Sequence, residues 1–188
     1  MNVFADLGGR IVYHDSRGRY WLGLNGNGLG MYDPVTQKTF QYATGNKDLQ
    51  ITGDIVVDIT EDKNGIIWVS TLSGINGIDT EKGEIHRFTS REGLLSNSTS
   101  ALRVDSLNRL WIATARGINV FDSSRTSFTR FGIHDGFTCR RISGTCWLYR
   151  RQWRFYLSIC ERFCTVQPHA IQTRNTTPFS LFIGRKCF

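Results

Sequence analysis

The feature that most constrains this chain is an internal repetition. DSRGRYWLGLNGNGLGMYD from Asp15, DKNGIIWVSTLSGINGID from Asp62 and DSLNRLWIATARGINVFD from Asp105 are three versions of one text. Trp21, Trp68 and Trp111 are 47 and 43 residues apart, and Asp33, Asp79 and Asp122 are 46 and 43 apart. An aromatic position follows each copy, Tyr42, Phe88 and Phe131, again at intervals of 46 and 43. A period of roughly 20 to 50 residues marks a supersecondary unit that cannot bury its apolar faces alone and therefore stacks on its neighbours.

One copy can be read residue by residue. Asp15 to Gly18 and Asp62 to Gly65 put Asp first and Gly fourth in a four-residue turn, the preference of a type I turn. Asn108 replaces Gly in the third copy, and its short polar side chain tolerates a left-handed backbone. A continuous run such as Ile66-Ile67-Trp68-Val69 follows, the pattern of a strand buried on both faces. A second turn, Thr71 to Gly74 or Thr114 to Gly117, leads into a strand such as Gly117 to Phe121, whose residues alternate and which ends at Asp122. A polar turn and a last short strand carrying Phe128 and Phe131 complete the unit. With the preceding segment, Ile55 to Ile59 or Ala101 to Val104, each unit of roughly 45 residues holds four short antiparallel strands.

The expected fold class is therefore all-β: a partial β-propeller of about three four-stranded blades, near residues 10–45, 51–91 and 99–134, within a repeat region at 1–137. A meandering β-sandwich is the competing arrangement, and the regular return of Asp, Trp and closing Asp favours the propeller. The structural repeat positions are Asp15, Gly18, Trp21 and Asp33; Asp62, Gly65, Trp68 and Asp79; and Asp105, Asn108, Trp111 and Asp122.

At Asp62, Gly65, Trp68, Thr71, Gly74 and Asp79 the text resembles the two-component regulator propeller repeats, and the resemblance extends over roughly residues 10 to 137. It implies the extracytoplasmic sensor region of a hybrid histidine kinase of the Bacteroidetes type, where many members respond to oligosaccharides. The expected ligand is accordingly an oligosaccharide or other small molecule, and the expected location of the intact parent is the periplasm. The chain contains no kinase or receiver text, so it would be a piece of such a sensor, without enzymatic activity or cofactor of its own. Ligand sites on rigid scaffolds sit on variable loops. By resemblance the turns at Asn25 and Asn27, Ser73 and Arg116 belong to one rim, and Arg116 is the best single candidate for holding a polar or acidic sugar.

Other chemistry is weak. Aspartates that recur at one turn position read as turn formers rather than as an acid-base pair. The tryptophans lie inside apolar runs, as core residues do. The stretch Asn25 to Gly30 is glycine-rich but lacks the Gly-Lys-Ser/Thr ending of a phosphate cradle. His14, His86, His134 and His169 fall at unlike repeat positions, which weakens the alternative of a propeller lyase built on a convergent histidine, acid and metal set. No metal site is expected.

Composition changes near residue 138. Residues 1–138 hold 14 Lys and Arg against 15 Asp and Glu, whereas 139–188 hold 9 against 1. The net charge of +7 is thus a property of the tail, as are Cys139, Cys146, Cys160, Cys164 and Cys187. The cysteine spacing does not match a zinc module. Arginines interleaved with Trp147, Tyr149, Trp153 and Phe155 would be the basis of a nucleic-acid arm, yet no nucleic acid is the expected partner, because a shifted reading frame accounts for the same text. Reading each codon from its second base, with synonymous choices, turns residues 138–155 into PAGEFQAHAGYIDGNGDF and 161–168 into NGFVRFNP. Residues 138–188 are therefore expected to be an irregular, frameshifted blade. No stretch reaches the roughly 18 apolar residues of a membrane helix, and MNVFADLGGR lacks the charged start and apolar run of an export signal. Three blades do not close a ring, so self-association through open blade faces is expected.

Overall fold

The computed structural model describes residues 11–24 and 26–132, together with strands at 146–151, 154–159 and 162–166. Three four-stranded antiparallel meanders follow one another along the chain. Blade 1 comprises β1 (Ile11–His14), β2 (Tyr20–Gly23), β3 (Leu29–Asp33) and β4 (Lys38–Tyr42). Blade 2 comprises β5 (Val56–Glu61), β6 (Ile67–Thr71), β7 (Gly74–Asp79) and β8 (Glu84–Phe88). Blade 3 comprises β9 (Thr99–Val104), β10 (Leu110–Thr114), β11 (Gly117–Phe121) and β12 (Phe128–Phe131). In each sheet the strands are hydrogen-bonded in chain order, the topology of a propeller blade. Within the tail, β13 (Cys146–Arg151), β14 (Arg154–Ile159) and β15 (Arg162–Val166) form a further antiparallel sheet.

The turns fold as their residues dictate. Gly18 and Gly65 take positive φ and donate their amides to the Asp15 and Asp62 carbonyls, and Asn108 does the same to Asp105 with φ of 59°. The second turns close on Gly74 and Gly117, whose φ values of 140° and 137° leave no room for a side chain, because a Cβ would stand 2.5 and 2.2 Å from the Phe88 and Phe131 carbonyl oxygens. One reading needs correction. β11 alternates in sequence, yet it is buried at every position, as is β7. The reason is that the interior asparagine of each, Asn76 or Asn119, is itself buried and hydrogen-bonded rather than turned to water.

Two apolar clusters lie between consecutive blades. Trp21, Leu29, Met31 and Tyr42 of blade 1 pack on Val56, Ile59, Ile67, Val69 and Ile78 of blade 2. Trp68 and Ile75 of blade 2 pack on Leu102, Leu110, Ile112 and Phe121 of blade 3. Trp21 and Trp68 thus point at the following blade and are 0% and 2% exposed. Trp111 of blade 3 is half-buried.

Candidate functional site

The two ends of the blades are built differently. At one end stand the turns that begin with Asp15, Asp62 and Asp105. In each, the first carboxylate oxygen accepts two backbone amides of its own turn, and the second accepts the indole Nε1–H of the tryptophan six residues on, at 2.8, 2.8 and 2.9 Å. A guanidinium completes every set. Arg19 and Arg109 reach the carboxylate of their own blade through Nε at 2.7 and 2.8 Å. Blade 2 has Ile66 at the equivalent position, and its arginine comes instead from blade 3: Arg125 Nη2 donates to Asp62 at 2.8 Å and stands 5.1 Å from the Trp68 ring.

Burial works against the Asp15 and Asp105 carboxylates, but the indole, amide and guanidinium donors outweigh it and hold both below the ordinary carboxylate range. The closing aspartates have another task. Asp33, Asp79 and Asp122 accept backbone amides two to four residues ahead, as turn-forming aspartates do. Asp122 also accepts hydroxyls from Ser124, Thr126 and Ser127.

The opposite end carries the candidate ligand turns. Asn25 lies outside the described residues. Asn27, Ser73 and Arg116 are all exposed, at the tips of the β2–β3, β6–β7 and β10–β11 turns. The turns are bound to the connectors between blades. In blade 1, Gly28 donates its amide to Asp54 at 2.9 Å, and the Asn27 carbonyl accepts Gln41 Nε2 at 3.0 Å. In blade 2, Thr71 Oγ1 donates to the Gly74 carbonyl and accepts the Ser73 amide at 3.1 Å. Thr114 does the same in blade 3, accepting the Arg116 amide at 3.3 Å.

The connectors are pinned by residues that the sequence did not single out. Asn76 Oδ1 accepts the Thr52 amide at 2.9 Å, and Asn76 Nδ2 donates to Thr52 Oγ1 at 3.0 Å. Asn119 Oδ1 accepts the Leu95 amide at 3.1 Å, and its Nδ2 donates to the Gly93 carbonyl at 3.2 Å. Both asparagines are fully buried. A signal was present: they stand 43 residues apart, at the same repeat position, inside otherwise apolar strands.

Around these turns the rim is mixed in character. Leu72 and Ile55 are 48% and 43% exposed and joined by the bond from the Leu72 amide to the Ile55 carbonyl. Asp54 accepts both the amide and hydroxyl of Thr44, at 2.8 and 2.5 Å. Of the histidines, His14 lies in β1 and His86 in β8, 3.5 Å from Glu84; His134 and His169 lie outside the described residues, as do Cys139, Cys160 and Cys187. Among the described residues no group of three or more His, Cys, Asp or Glu is placed to hold a metal ion, and no helix is long and apolar enough to cross a membrane.

Comparison with known proteins agrees with this geometry. The family model described as two component regulator propeller matches residues 50–73, from the connector between blades 1 and 2 into the β6–β7 turn. A comparison with curated proteins finds no match. Among solved structures, the extracellular domain of a hybrid two-component system from B. thetaiotaomicron is similar at 23% identity with a TM-score of 0.61, over 84% of this chain and 21% of that one. The extracellular domain of a one-component system from the same organism is similar at 23% identity and a TM-score of 0.63, over 78% of this chain and 22% of that one. Virginiamycin B lyase from Staphylococcus aureus shares the fold at 19% identity and a TM-score of 0.57, over 91% of this chain and 58% of that one. This chain therefore spans about a fifth of the length of those two extracellular domains. The family match covers the connector before blade 2 and its first two strands, and blades 1 and 3 repeat the same pattern in register on either side.

Proposed function

We propose that these blades are the ligand-sensing part of a two-component sensor, that they work outside the cytoplasm, and that phosphoryl transfer belongs to a kinase region elsewhere in the parent protein. The observation that carries the reading is the family match over residues 50–73, which covers the Thr52 connector and the Ser73 turn of the rim. The ligand proposed is an oligosaccharide. Exposed Leu72 and Ile55 offer the apolar contact that a sugar ring face requires, and Asn27, Ser73 and Arg116 offer donors and acceptors for its hydroxyl and carboxyl groups.

Calorimetric titration with a panel of oligosaccharides cut from plant and host polysaccharides tests this. At least one should bind, and Arg116→Ala should weaken an acidic one by roughly tenfold or more, the worth of a hydrogen bond to a charged group. Absence of heat across the panel, or an Arg116→Ala variant that binds as the unaltered chain does, would remove the reading. For residues 138–188 we propose a blade read out of frame. The restored text places an aspartate at position 150, 45 residues after Asp105. Resequencing the gene decides it: a one-base displacement near codon 137 is expected, and an intact frame with unbroken codon usage through this region would refute it.

A further inference from the structure

Asn76 and Asn119 put the two connectors in register, Thr52 at one junction and Leu95 at the next, so the rim can be compared position by position. The scaffold is the same in both. Asp54 Oδ1 accepts the Thr44 amide at 2.8 Å, and Asn97 Oδ1 accepts the Ser90 amide at 2.6 Å. The Ile55 carbonyl accepts the Leu72 amide at 3.3 Å, and the Ser98 carbonyl accepts the Ala115 amide at 2.9 Å. What this shared frame displays differs in chemistry. At the junction of blades 1 and 2, Ile55 and Leu72 are exposed beside the Asp54 carboxylate, whose two oxygens are both fixed by Thr44 and each keep a lone pair for a further donor. At the junction of blades 2 and 3 the same places hold exposed Ser98 and Ala115 beside the amide of Asn97, and the turn residue is Arg116 where blade 2 has Ser73. A water-facing apolar pair flanked by a carboxylate and a cationic turn flanked by hydroxyl and amide suit different parts of one ligand.

We propose that the rim divides its ligand between these two junctions: an uncharged sugar segment lies on Ile55 and Leu72 and donates hydroxyls to Asp54, and an adjoining segment places a carboxylate on Arg116. This rests on the reading of the blades as an oligosaccharide sensor and specifies the class, a chain in which neutral and uronic-acid sugars stand side by side. A pyranose ring has an apolar C–H face and an edge of hydroxyls, which the Ile55–Leu72 pair and the Asp54 oxygens match in turn. Asp54 is held at both oxygens before any ligand arrives, so little ordering is left for binding to do. Its charge also repels a carboxylate from the first junction and thereby fixes which way the saccharide runs along the rim. At the second junction the guanidinium supplies the planar, two-pronged donor that a carboxylate accepts best. Gly53 keeps the connector and turn of the first junction in one surface, since a Cβ there would stand 3.0 Å from Ser73 Oγ.

Calorimetric titration of the full chain with three oligosaccharides of equal length tests this: one uncharged, one built wholly of uronic acids, and one with a neutral run joined to a uronic-acid run. The mixed oligomer should bind about tenfold tighter than either of the others. Ile55→Ser combined with Leu72→Ala, which writes the residues of the second junction onto the first, should weaken the mixed and uncharged oligomers and leave the wholly anionic one unchanged. Asp54→Asn should instead tighten the wholly anionic oligomer, by relief of a like-charge contact; Asn97 shows that an asparagine holds the connector at this place. Unfolding midpoints equal to that of the unaltered chain identify the variants as folded. Equal affinity for the three oligomers, or a mixed oligomer that is indifferent to the paired substitution, would overturn the division of the rim while leaving saccharide sensing in place. Absence of binding by all three, and by the wider panel, would remove the sensing reading and this inference with it.

Discussion

The pairing of each repeat aspartate with its tryptophan explains why both letters return together. The indole N–H is a donor that needs an acceptor, and the aspartate that supplies one is fixed through its other carboxylate oxygen by two turn amides. Such a carboxylate is costly to bury without a cation, and blades 1 and 3 each provide their own in Arg19 and Arg109. The one departure, Ile66 in place of arginine, is answered from the next blade by Arg125, whose side chain is 16% exposed against 0% for Asp62. Arg125→Ala should therefore destabilise the chain by about 2 to 4 kcal/mol, and adding Ile66→Arg to that variant should recover part of the loss by restoring the arrangement of blades 1 and 3. Urea unfolding of the single and double variants measures both.

A pH dependence follows from the same sites. The Asp15 and Asp105 carboxyls titrate lower folded than unfolded, so their stabilising contribution is present above the unfolded value near pH 4 and is lost as pH falls through the folded value. The unfolding midpoint should drop as pH falls below about 4, and an Asp15→Asn, Asp105→Asn double variant should show a shallower drop. At this scale the turn chemistry was legible in sequence, down to the left-handed Asn108. The indole partners were not, since nothing in a linear text shows that residues six apart across a turn will meet.

Elements owe their burial to what stacks on them, and that is why their patterns mislead. β7 and β11 look half-polar, but the polar letter in each is a peg. Asn76 and Asn119 tie the connectors before blades 2 and 3 to the strands beneath them, and Thr71 and Thr114 do the same for the Ser73 and Arg116 turns. The candidate rim is thus rigid from below while its tips face solvent. Asn76→Ala leaves the Thr52 amide without its acceptor and should cost about 1 to 3 kcal/mol. Exchange of the Thr52 amide should accelerate locally, and Asn119→Ala should act in the same way on Leu95. If both amides stay protected in the variants, the asparagines are not what holds the connectors.

At the scale of the molecule, the chain is an arc of three blades whose order, strand count and spacing were legible from the repeat alone. What the repeat could not show is direction. Trp21 and Trp68 both face the following blade, so the two ends of the arc are unlike: one offers the uncharged face of Val12 and Tyr20, the other the Trp111-bearing face of blade 3. The blade ends differ as well: the aspartate end ties neighbouring blades together through Arg19 on Thr80 and Arg125 on Asp62, and the opposite end carries the exposed turns at Asn27, Ser73 and Arg116.

The central claim, that one aspartate–tryptophan latch per repeat organises the fold, is tested most directly by hydrogen exchange of the indole N–H protons. Those of Trp21, Trp68 and Trp111 should all exchange far more slowly than in free tryptophan, and Asp15→Ala, Asp62→Ala and Asp105→Ala should each release mainly the proton of its own repeat. Indole protons that exchange as in free tryptophan, or that stay protected after their aspartate is removed, would contradict it.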